Sequence, residues 1–197
     1  MRPLVFVWPY ALVFWLIYIW AFASEFAIVA RARRTVEQNK SKDSGSLQVI
    51  LLGMWIAMLV SFPLAFVKSL SFPASSILPA FAAGNALLVA GSLLRRHCWK
   101  VLGRYFTGDV QVHSDQPVIQ HGVYRWVRHP SYSGGILMQA GIGVALANWA
   151  SLAILVTVAV LVYFYRVSRE ERALVQTLGE PYLAYMKKTK RFVPFVV

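Results

Sequence analysis

Long apolar runs separated by polar or basic segments dominate the chain. They cover residues 4–29, 47–67, 77–94 and 134–165. Each of the first three is close to the roughly 20 apolar residues that a helix needs to cross a hydrocarbon core of about 30 Å. The first is interrupted only by Ser24 and Glu25 and is rich in Trp and Tyr, which favour membrane interfaces. The pattern predicts an all-α integral membrane protein.

The fourth run, residues 134–165, is too long for one straight helix. Its 32 uncharged residues would extend roughly 48 Å at 1.5 Å per residue, well beyond the hydrocarbon core. The stretch ANWAS at 147–151 offers a natural break. We therefore predict two short helices, residues 131–147 and 151–167, joined by a tight turn at one membrane face. With these two, the bundle has five transmembrane helices.

Polar segments divide the chain into two regions. The first region, residues 1–94, holds three membrane helices, and Gly84 and Gly91 are small residues at which another helix could approach closely. The second region, residues 95–197, is predicted to be catalytic. Its parts are a cytoplasmic segment at 95–130, the helical hairpin at 131–167 and a C-terminal extension at 168–197.

Composition and charge narrow the classes of protein. With 58% hydrophobic and 14% charged residues, the chain is too apolar for a soluble domain, in which about a quarter of the residues are charged. The single cysteine, Cys98, excludes an intrachain disulfide. The four histidines, at 97, 113, 121 and 129, are 16, 8 and 8 residues apart, which matches no zinc-ligand pattern, so no metal is expected.

The net charge of +12 follows the predicted topology. Eighteen of the 20 Lys and Arg residues lie on alternate segments, namely residues 31–46, residues 95–130 and the chain from Arg166 onward. The positive-inside rule then predicts an N-terminus outside and a cytoplasmic C-terminus. Because orientation and anionic lipid heads account for the charge, no nucleic acid is expected as a partner.

The hairpin should bring two distant polar clusters together. RHPSY at 128–132 precedes its first helix, and the pair Glu170 and Glu171 follows its second. Pro130 suits the first turn of a helix, and Gly134 and Gly135 leave room for a ligand or a second backbone. The cluster is either a structural set of ion pairs or part of a ligand site.

Three blocks, in order, carry a resemblance to a known family. They are LGRYFT at 102–107, GVYRWVRHPSYSG at 122–134 with the Glu170-Glu171 pair, and GEPYLAY at 179–185 followed by Arg191 and Pro194. From Gly91 to the end, the chain resembles the isoprenylcysteine carboxyl methyltransferases and their phospholipid methyltransferase relatives. Ser24-Glu25 and the basic loop ending at residues 43–46 are similar to bacterial members, which implies a bacterial or archaeal cytoplasmic membrane.

The resemblance implies S-adenosylmethionine as the cofactor, bound at the cytoplasmic side. No glycine-rich turn between a strand and a helix is visible, so other groups must hold the cofactor. Carboxylates can accept from its ribose or ammonium, Arg and His can engage its carboxylate, and Tyr rings suit its adenine or sulfonium. The implied cofactor-binding residues are Val118, Gly122, Tyr124, Arg128, His129, Pro130, Tyr132, Gly134, Glu170, Glu171 and Tyr185.

The implied reaction moves a methyl group to a hydrophobic or lipid-like acceptor, such as the carboxylate of an isoprenylcysteine. A carboxylate needs a cation to orient it rather than a base, and similarity assigns this role to Arg95, with Arg104 as the alternative. If the acceptor is an amine or a thiol, His129 or a glutamate becomes the candidate base. A charged Glu25 should face the bundle and pair with an arginine such as Arg95 or Arg104.

Other functions remain open at this point. Within the same fold, the alternatives are a phospholipid N-methyltransferase and a small-thiol S-methyltransferase. A sterol-reductase-like enzyme using NADPH shares a similar C-terminal arrangement, although 197 residues leave little room for its additional spans. A membrane binding protein without catalytic activity is a further alternative, against which the intact RHPSY motif and paired glutamates argue.

Overall fold

The computed structural model describes residues 2–38, 45–106, 112 and 116–192. Within these residues the chain is all-α, as predicted, and its only β pairings are two isolated bridges. The six α-helices are α1 (Tyr10–Gln38), α2 (Ser46–Leu64), α3 (Ile77–Leu102), α4 (Pro130–Ala145), α5 (Trp149–Leu178) and α6 (Glu180–Lys188). Five positions used in the sequence analysis, residues 43, 44, 107, 113 and 194, lie outside the described residues.

Within the described residues, three helical stretches are long and apolar enough to cross a membrane. They are Ser46–Leu64, Ala74–Tyr105 and Trp149–Leu178. The apolar stretch Tyr10–Ala23 is shorter, and α4 has 16 residues, or about 24 Å at 1.5 Å per residue. The protein is therefore a helical membrane protein, and the count of five spans stays a prediction.

Two predicted boundaries were wrong for local reasons. The first helix begins at Tyr10 instead of residue 4, because Pro9 lacks an N–H and disfavours helical geometry in the residue before it. Residues Leu4–Phe6 form a separate 3-10 turn instead. The third helix continues beyond residue 94 to Leu102 and ends at Gly103, whose φ is +53°. Hydropathy marks the apolar part of this helix, whereas its backbone continues until a glycine ends it.

The predicted hairpin is confirmed, with its turn at residues 146–148. Asn148 fixes this turn: its Oδ1 accepts from the Ser151 N–H at 3.0 Å, and its Nδ2 donates to the Leu64 carbonyl at 3.1 Å. Helix α5 then runs without a break to Leu178, beyond the predicted end at residue 167, and includes the first part of the C-terminal extension. In the same turn, the Ala147 carbonyl accepts a hydrogen bond from the Phe72 N–H at 2.8 Å.

Glycines bring α3 and α4 into backbone contact. A Cβ added at Gly91 would lie 2.5 Å from the Gly134 carbonyl oxygen, and one added at Gly84 would lie 2.6 Å from that of Gly141. The close approach predicted at Gly84 and Gly91 is therefore confirmed. Small residues let two membrane helices gain dispersion contacts along their whole length. These two helices are therefore closely packed against each other.

The polar segments meet at one end of the bundle. The end of α2, residues 65–76 and the hairpin turn lie together at the opposite end, as the contacts of Asn148 and Phe72 show. At the polar end, the start of α2 reaches α5 through a hydrogen bond from Arg166 Nη1 to Ser46 Oγ, at 2.5 Å. This arrangement brings the beginning of α4, the charged extension of α5 and α6 close together.

Candidate functional site

The two ends of the hairpin contact each other through charged and polar side chains. Arg128 Nε donates to Glu171 Oε1 at 2.9 Å, and His129 Nε2 lies 3.3 Å from the same oxygen. The Tyr132 hydroxyl donates to Glu170 Oε2 at 2.7 Å. The predicted proximity of RHPSY and the glutamate pair is confirmed, although about 40 residues of chain separate them.

The C-terminal segment packs against these charged and polar side chains. The Arg128 N–H donates to the Lys190 carbonyl at 2.7 Å, and the His129 N–H donates to the Arg191 carbonyl at 3.0 Å. The Arg191 guanidinium also reaches Glu171 Oε2, with Nη2 at 2.7 Å. Residues 190 and 191 therefore run beside residues 127–129 and add a second cation to Glu171.

Glu171 is the centre of this ionic cluster, which consists of Glu171, Arg128, His129 and Arg191. The residue is 4% exposed, and two guanidinium groups and one imidazole surround its carboxylate. A buried carboxylate is tolerated only when it is paired and hydrogen-bonded, and removing one partner costs about 3 to 5 kcal/mol. The cluster joins the start of α4, the extension of α5 and the C-terminal segment.

A cavity of about 920 Å³ opens beside the ionic cluster. Ionisable and phenolic side chains form one part of its lining: Arg95, Tyr124, Arg128, His129, Tyr132, Tyr163, Arg166, Glu170, Tyr182 and Tyr185. Apolar and thioether side chains of α1 and α2 form another: Phe22, Phe26, Leu47, Ile50, Leu51, Met54, Trp55 and Met58. One cavity is therefore lined by both a polar surface and an apolar surface.

The predicted cofactor residues fall into two groups. Seven line the cavity: Val118, Tyr124, Arg128, His129, Tyr132, Glu170 and Tyr185. The other four, Gly122, Pro130, Gly134 and Glu171, lie in the surrounding framework. Pro130 occupies the first turn of α4, Gly122 opens a short 3-10 helix with a φ of +60°, and Gly134 packs against α3. These four shape or hold the cavity wall.

Arg95 and Arg104 differ sharply in their surroundings. Arg95 lines the cavity and forms two hydrogen bonds of 2.5 Å to the carboxylate of Glu25 and one of 2.9 Å to the Ser131 carbonyl. The predicted pairing of Glu25 with an arginine is thus confirmed, and the partner is Arg95. Arg104 is exposed in the turn Gly103–Tyr105 and stacks over the Tyr105 ring, with its Cζ 4.8 Å from the ring centroid.

The tyrosines of the polar surface are neutral hydrogen-bonding groups. Burial raises the pKa of Tyr124 and of Tyr182, and it raises the pKa of Tyr185 to about 12. The Tyr185 hydroxyl donates to the Tyr124 carbonyl at 2.5 Å, so α6 is anchored to the short helix that precedes the RHPSY motif. These phenols supply polar edges and aromatic faces without adding charge.

Several cavity residues could not be recognised from the sequence. Arg166 and Tyr163 lie at the end of the uncharged run, where an arginine usually only marks a membrane boundary. Gln139 stands within that run, and a lone amide in an apolar helix was the only available signal. Gln116 lies two residues before Val118, an implied cofactor-binding residue, and its carboxamide oxygen has no partner among the described residues.

Fold and site together define a helical membrane protein with a mixed polar and apolar cavity at one end of the bundle. Residues 84–176 match the model of the isoprenylcysteine carboxyl methyltransferase (ICMT) family. The match covers just under half of the chain, which is similar to the family over this stretch.

Relatives and a solved structure show the same similarity. The chain is 32% identical to protein-S-isoprenylcysteine O-methyltransferase A of Arabidopsis thaliana over 57% of its own length and 58% of that protein's. It is 31% identical to the Xenopus laevis enzyme over 57% of this chain and 40% of that one. A solved structure of the eukaryotic intramembrane Ras methyltransferase, an isoprenylcysteine carboxyl methyltransferase, matches with a TM-score of 0.64, 28% identity, and coverage of 72% of this chain and 52% of that chain. The chain thus spans about three fifths or less of these relatives.

Proposed function

We propose that the protein is a membrane methyltransferase that transfers the methyl group of S-adenosylmethionine to the carboxylate of a hydrophobic, isoprenylcysteine-like acceptor. The observation that carries the proposal is the single cavity whose lining is ionic and phenolic in one part and apolar in another. Its volume of about 920 Å³ lies near the top of the roughly 300 to 1,000 Å³ range of small-molecule pockets. A cavity with such a lining can hold a polar cofactor next to a hydrophobic acceptor.

The polar surface fits the groups of S-adenosylmethionine. Glu170 offers a carboxylate to a ribose hydroxyl or an ammonium group, and Arg128 offers a cation to a carboxylate. The Gln116 oxygen lacks a partner in the described part of the chain, and an exocyclic amine such as that of adenine would supply the missing donor. Val118 lies in the same irregular stretch, and the rings of Tyr124 and Tyr185 line the same cavity.

The glutamates have different proposed roles. Glu170 faces the cavity and is held by Tyr132, so it contacts the cofactor. Glu171 is occupied by Arg128, His129 and Arg191 and acts as a positioning residue. Gly122, Pro130 and Gly134 likewise act through the shape of the wall.

Arg95 is the proposed group that orients the acceptor carboxylate. A guanidinium has five N–H groups, and three of those of Arg95 are directed to Glu25 and Ser131. Two therefore remain for an acceptor oxygen, in a direction fixed by the other three. The Glu25 carboxylate also offsets the charge of Arg95 within the membrane, where an isolated cation would be costly.

When bound, S-adenosylmethionine supplies an activated methyl group on a sulfonium sulfur. Transfer to a carboxylate would exchange a C–S bond of the cofactor for a C–O bond of the acceptor, so no residue of the chain would have to accept a proton as a general base. His129, buried against the glutamates, becomes the base only for an amine or thiol acceptor. The chain contributes alignment of the acceptor and exclusion of water.

The proposed membrane arrangement has five spans, with the N-terminus outside and the C-terminus in the cytoplasm. Support comes from the clustering of the basic segments at one end of the bundle and from the positive-inside rule. The cofactor then enters from the cytoplasm, and the acceptor enters from the bilayer between helices. A cysteine-accessibility scan at Lys68 and Lys187, on opposite ends, would test this orientation.

A radiolabel assay tests the reaction. Purified protein in detergent receives methyl-labelled S-adenosylmethionine and, separately, N-acetyl-S-farnesylcysteine, phosphatidylethanolamine or a small thiol. We expect label only in the prenylcysteine product, released by base as a methyl ester hydrolyses. Base-stable label in the lipid or thiol would favour the alternative acceptors. Thermal stabilisation by NADPH, with none by S-adenosylmethionine, would contradict the proposal.

A further inference from the structure

Tyr163 is a polar side chain of the cavity to which the reaction described above gives no role. It is 8% exposed, lines the cavity and stands in the apolar part of α5. The hydroxyls of three other cavity tyrosines, Tyr18, Tyr132 and Tyr185, all donate within the protein. The Tyr163 hydroxyl has no hydrogen-bond partner among the described residues, and it is not one of their fully enclosed polar atoms. Since a buried tyrosine hydroxyl usually has a partner, this one is available to a ligand in the cavity.

Two adjacent glycines of α4 bring this hydroxyl close to Arg95. A Cβ added at Gly135 would collide with the Tyr163 hydroxyl, and one added at Gly134 would lie 2.8 Å from Arg95 Cγ. Arg95 Nη1 donates to the Ser131 carbonyl at 2.9 Å, and in an α-helix that carbonyl points toward residue 135. The guanidinium and the hydroxyl therefore lie within about one turn of α4 from each other. Both side chains line the same cavity.

The charge balance of this part of the cavity favours a neutral donor. Arg95 is paired with the Glu25 carboxylate, so the pair has no net charge. A carboxylate that enters beside this pair brings an additional negative charge into the membrane, where it needs directed hydrogen-bond donors. A phenolic O–H donates a short, charge-assisted hydrogen bond to a carboxylate and adds no charge of its own. Because a carboxylate has two oxygens, it can accept from a guanidinium and from a phenol at the same time.

We propose that the Tyr163 hydroxyl donates a hydrogen bond to the acceptor carboxylate, as a second anchor beside Arg95. The inference rests on the proposed carboxyl methyltransferase function and adds a residue that binds its acceptor. Methylation removes the negative charge of the carboxylate, so this hydrogen bond is stronger to the acceptor than to the ester product. Tyr163 therefore contributes to acceptor binding and to preference over the product, and it does not accelerate the chemical step. The hydroxyl keeps its proton throughout.

The test is Tyr163→Phe, which removes the hydroxyl and keeps the ring. With N-acetyl-S-farnesylcysteine as the acceptor, we expect KM to rise about tenfold, in line with the loss of one hydrogen bond to a charged group, and kcat not to fall. Ethyl farnesyl sulfide, which has the thioether and the tail but no carboxylate, serves as a competitive inhibitor. Its inhibition constant should stay within about twofold of the wild-type value, because it has no hydrogen bond to lose. The dissociation constant for S-adenosylmethionine should not change.

Tyr165→Phe is the matched control. It removes a hydroxyl two residues further along α5, outside the cavity lining, where that hydroxyl accepts from Arg169 Nη2 at 3.1 Å. All constants of this variant should match those of the wild type.

Three results with Tyr163→Phe would overturn the proposal. The first is an unchanged KM for the acceptor. The second is equal weakening of the acceptor and of the sulfide, because the hydroxyl would then only shape the pocket. The third is weaker S-adenosylmethionine binding with an unchanged KM, which would assign the hydroxyl to the cofactor. Methylation of no acceptor by the wild-type protein would instead reject the carboxyl methyltransferase function, and this inference with it.

Discussion

The α3–α4–α5 half of the molecule and the α1–α2 half line the same cavity in different ways. In the first half, glycine contacts bring two backbones together and the ionic cluster fixes the hairpin ends. In the second, α2 buries only Ser46, Ala57 and Ser61, and it presents Met54 and Met58 to the cavity. The family match at 84–176 falls on the first half. A charged cofactor requires fixed geometry, whereas a flexible hydrocarbon tail requires only an apolar surface.

The largest expected effect comes from forcing α3 and α4 apart. Gly91→Leu places a side chain where a Cβ already lies 2.5 Å from the Gly134 carbonyl, and a backbone cannot yield as a side chain can. We expect loss of the folded protein, measured by the yield of monodisperse protein and by thermal unfolding in detergent. The control is Ala82→Leu on the exposed side of the same helix. Wild-type stability of Gly91→Leu would show that α3 and α4 do not need their close backbone contact at this position.

Breaking the ionic cluster should have the next largest effect. Glu171→Gln leaves Arg128 and Arg191 without their carboxylate, and we expect a loss of about 3 to 5 kcal/mol of stability. Thermal unfolding should show a lower midpoint, and cofactor affinity should fall with it. Glu180→Gln at an exposed site of α6 is the matched control. A variant with wild-type stability would refute the positioning role of Glu171.

Glu170→Gln should separate binding from stability within the same pair. This carboxylate is partly exposed to the cavity, and it contacts the Tyr132 hydroxyl at 2.7 Å and His129 Nδ1 at 3.9 Å. We expect the dissociation constant for S-adenosylmethionine to rise at least tenfold by calorimetry, because a charge-assisted contact is lost, with a much smaller shift of the unfolding midpoint than in Glu171→Gln. Wild-type cofactor affinity would remove Glu170 from the site.

Arg95→Ala should reduce turnover about 100-fold and leave cofactor affinity unchanged, since the acceptor carboxylate loses its orienting cation. Initial rates at saturating cofactor provide the measurement. Arg95→Lys should recover little, because an ammonium cannot reproduce three directed contacts. Arg104→Ala is the control, and a stronger loss there than in Arg95→Ala would transfer the acceptor role to Arg104.

The smallest effect is expected on the apolar surface. Met58, whose sulfur accepts from the Tyr18 hydroxyl at 3.2 Å, can be replaced by Phe to reduce the space there. We expect the ratio of kcat/KM between farnesyl and geranylgeranyl acceptors to rise about threefold, since a methylene in a hydrophobic pocket changes specificity only modestly. Leu52→Phe on the exposed side of α2 should not change it. An equal shift in both variants would argue against a tail-binding surface.

The cavity was only partly predictable from the chain. The hairpin could be inferred because 32 uncharged residues cannot form one span, and the meeting of RHPSY with the glutamates follows from that fold-back. The sequence could not show which of Glu170 and Glu171 faces the cavity and which pairs in the ionic cluster. Adjacent residues of a helix point about 100° apart, and the residue that faces the cavity depends on the rotation of α5 about its axis. Gln139 and Arg166 were missed for the same reason.

The sequence was sufficient to predict a helical membrane protein with a folded-back pair of helices, from its hydropathy, charge placement and glycine positions. This is possible because the bilayer restricts the chain to a few structures, in which backbone hydrogen bonds are satisfied within each helix. Three ordered motif blocks were sufficient for the resemblance to the family. Only the tertiary structure determined that Arg95 is the partner of Glu25 and that Glu171 lies between two arginines. It also determined that Gln139 lines the cavity. Those choices depend on helix rotation and on contacts between segments 40 to 70 residues apart, which no local pattern encodes.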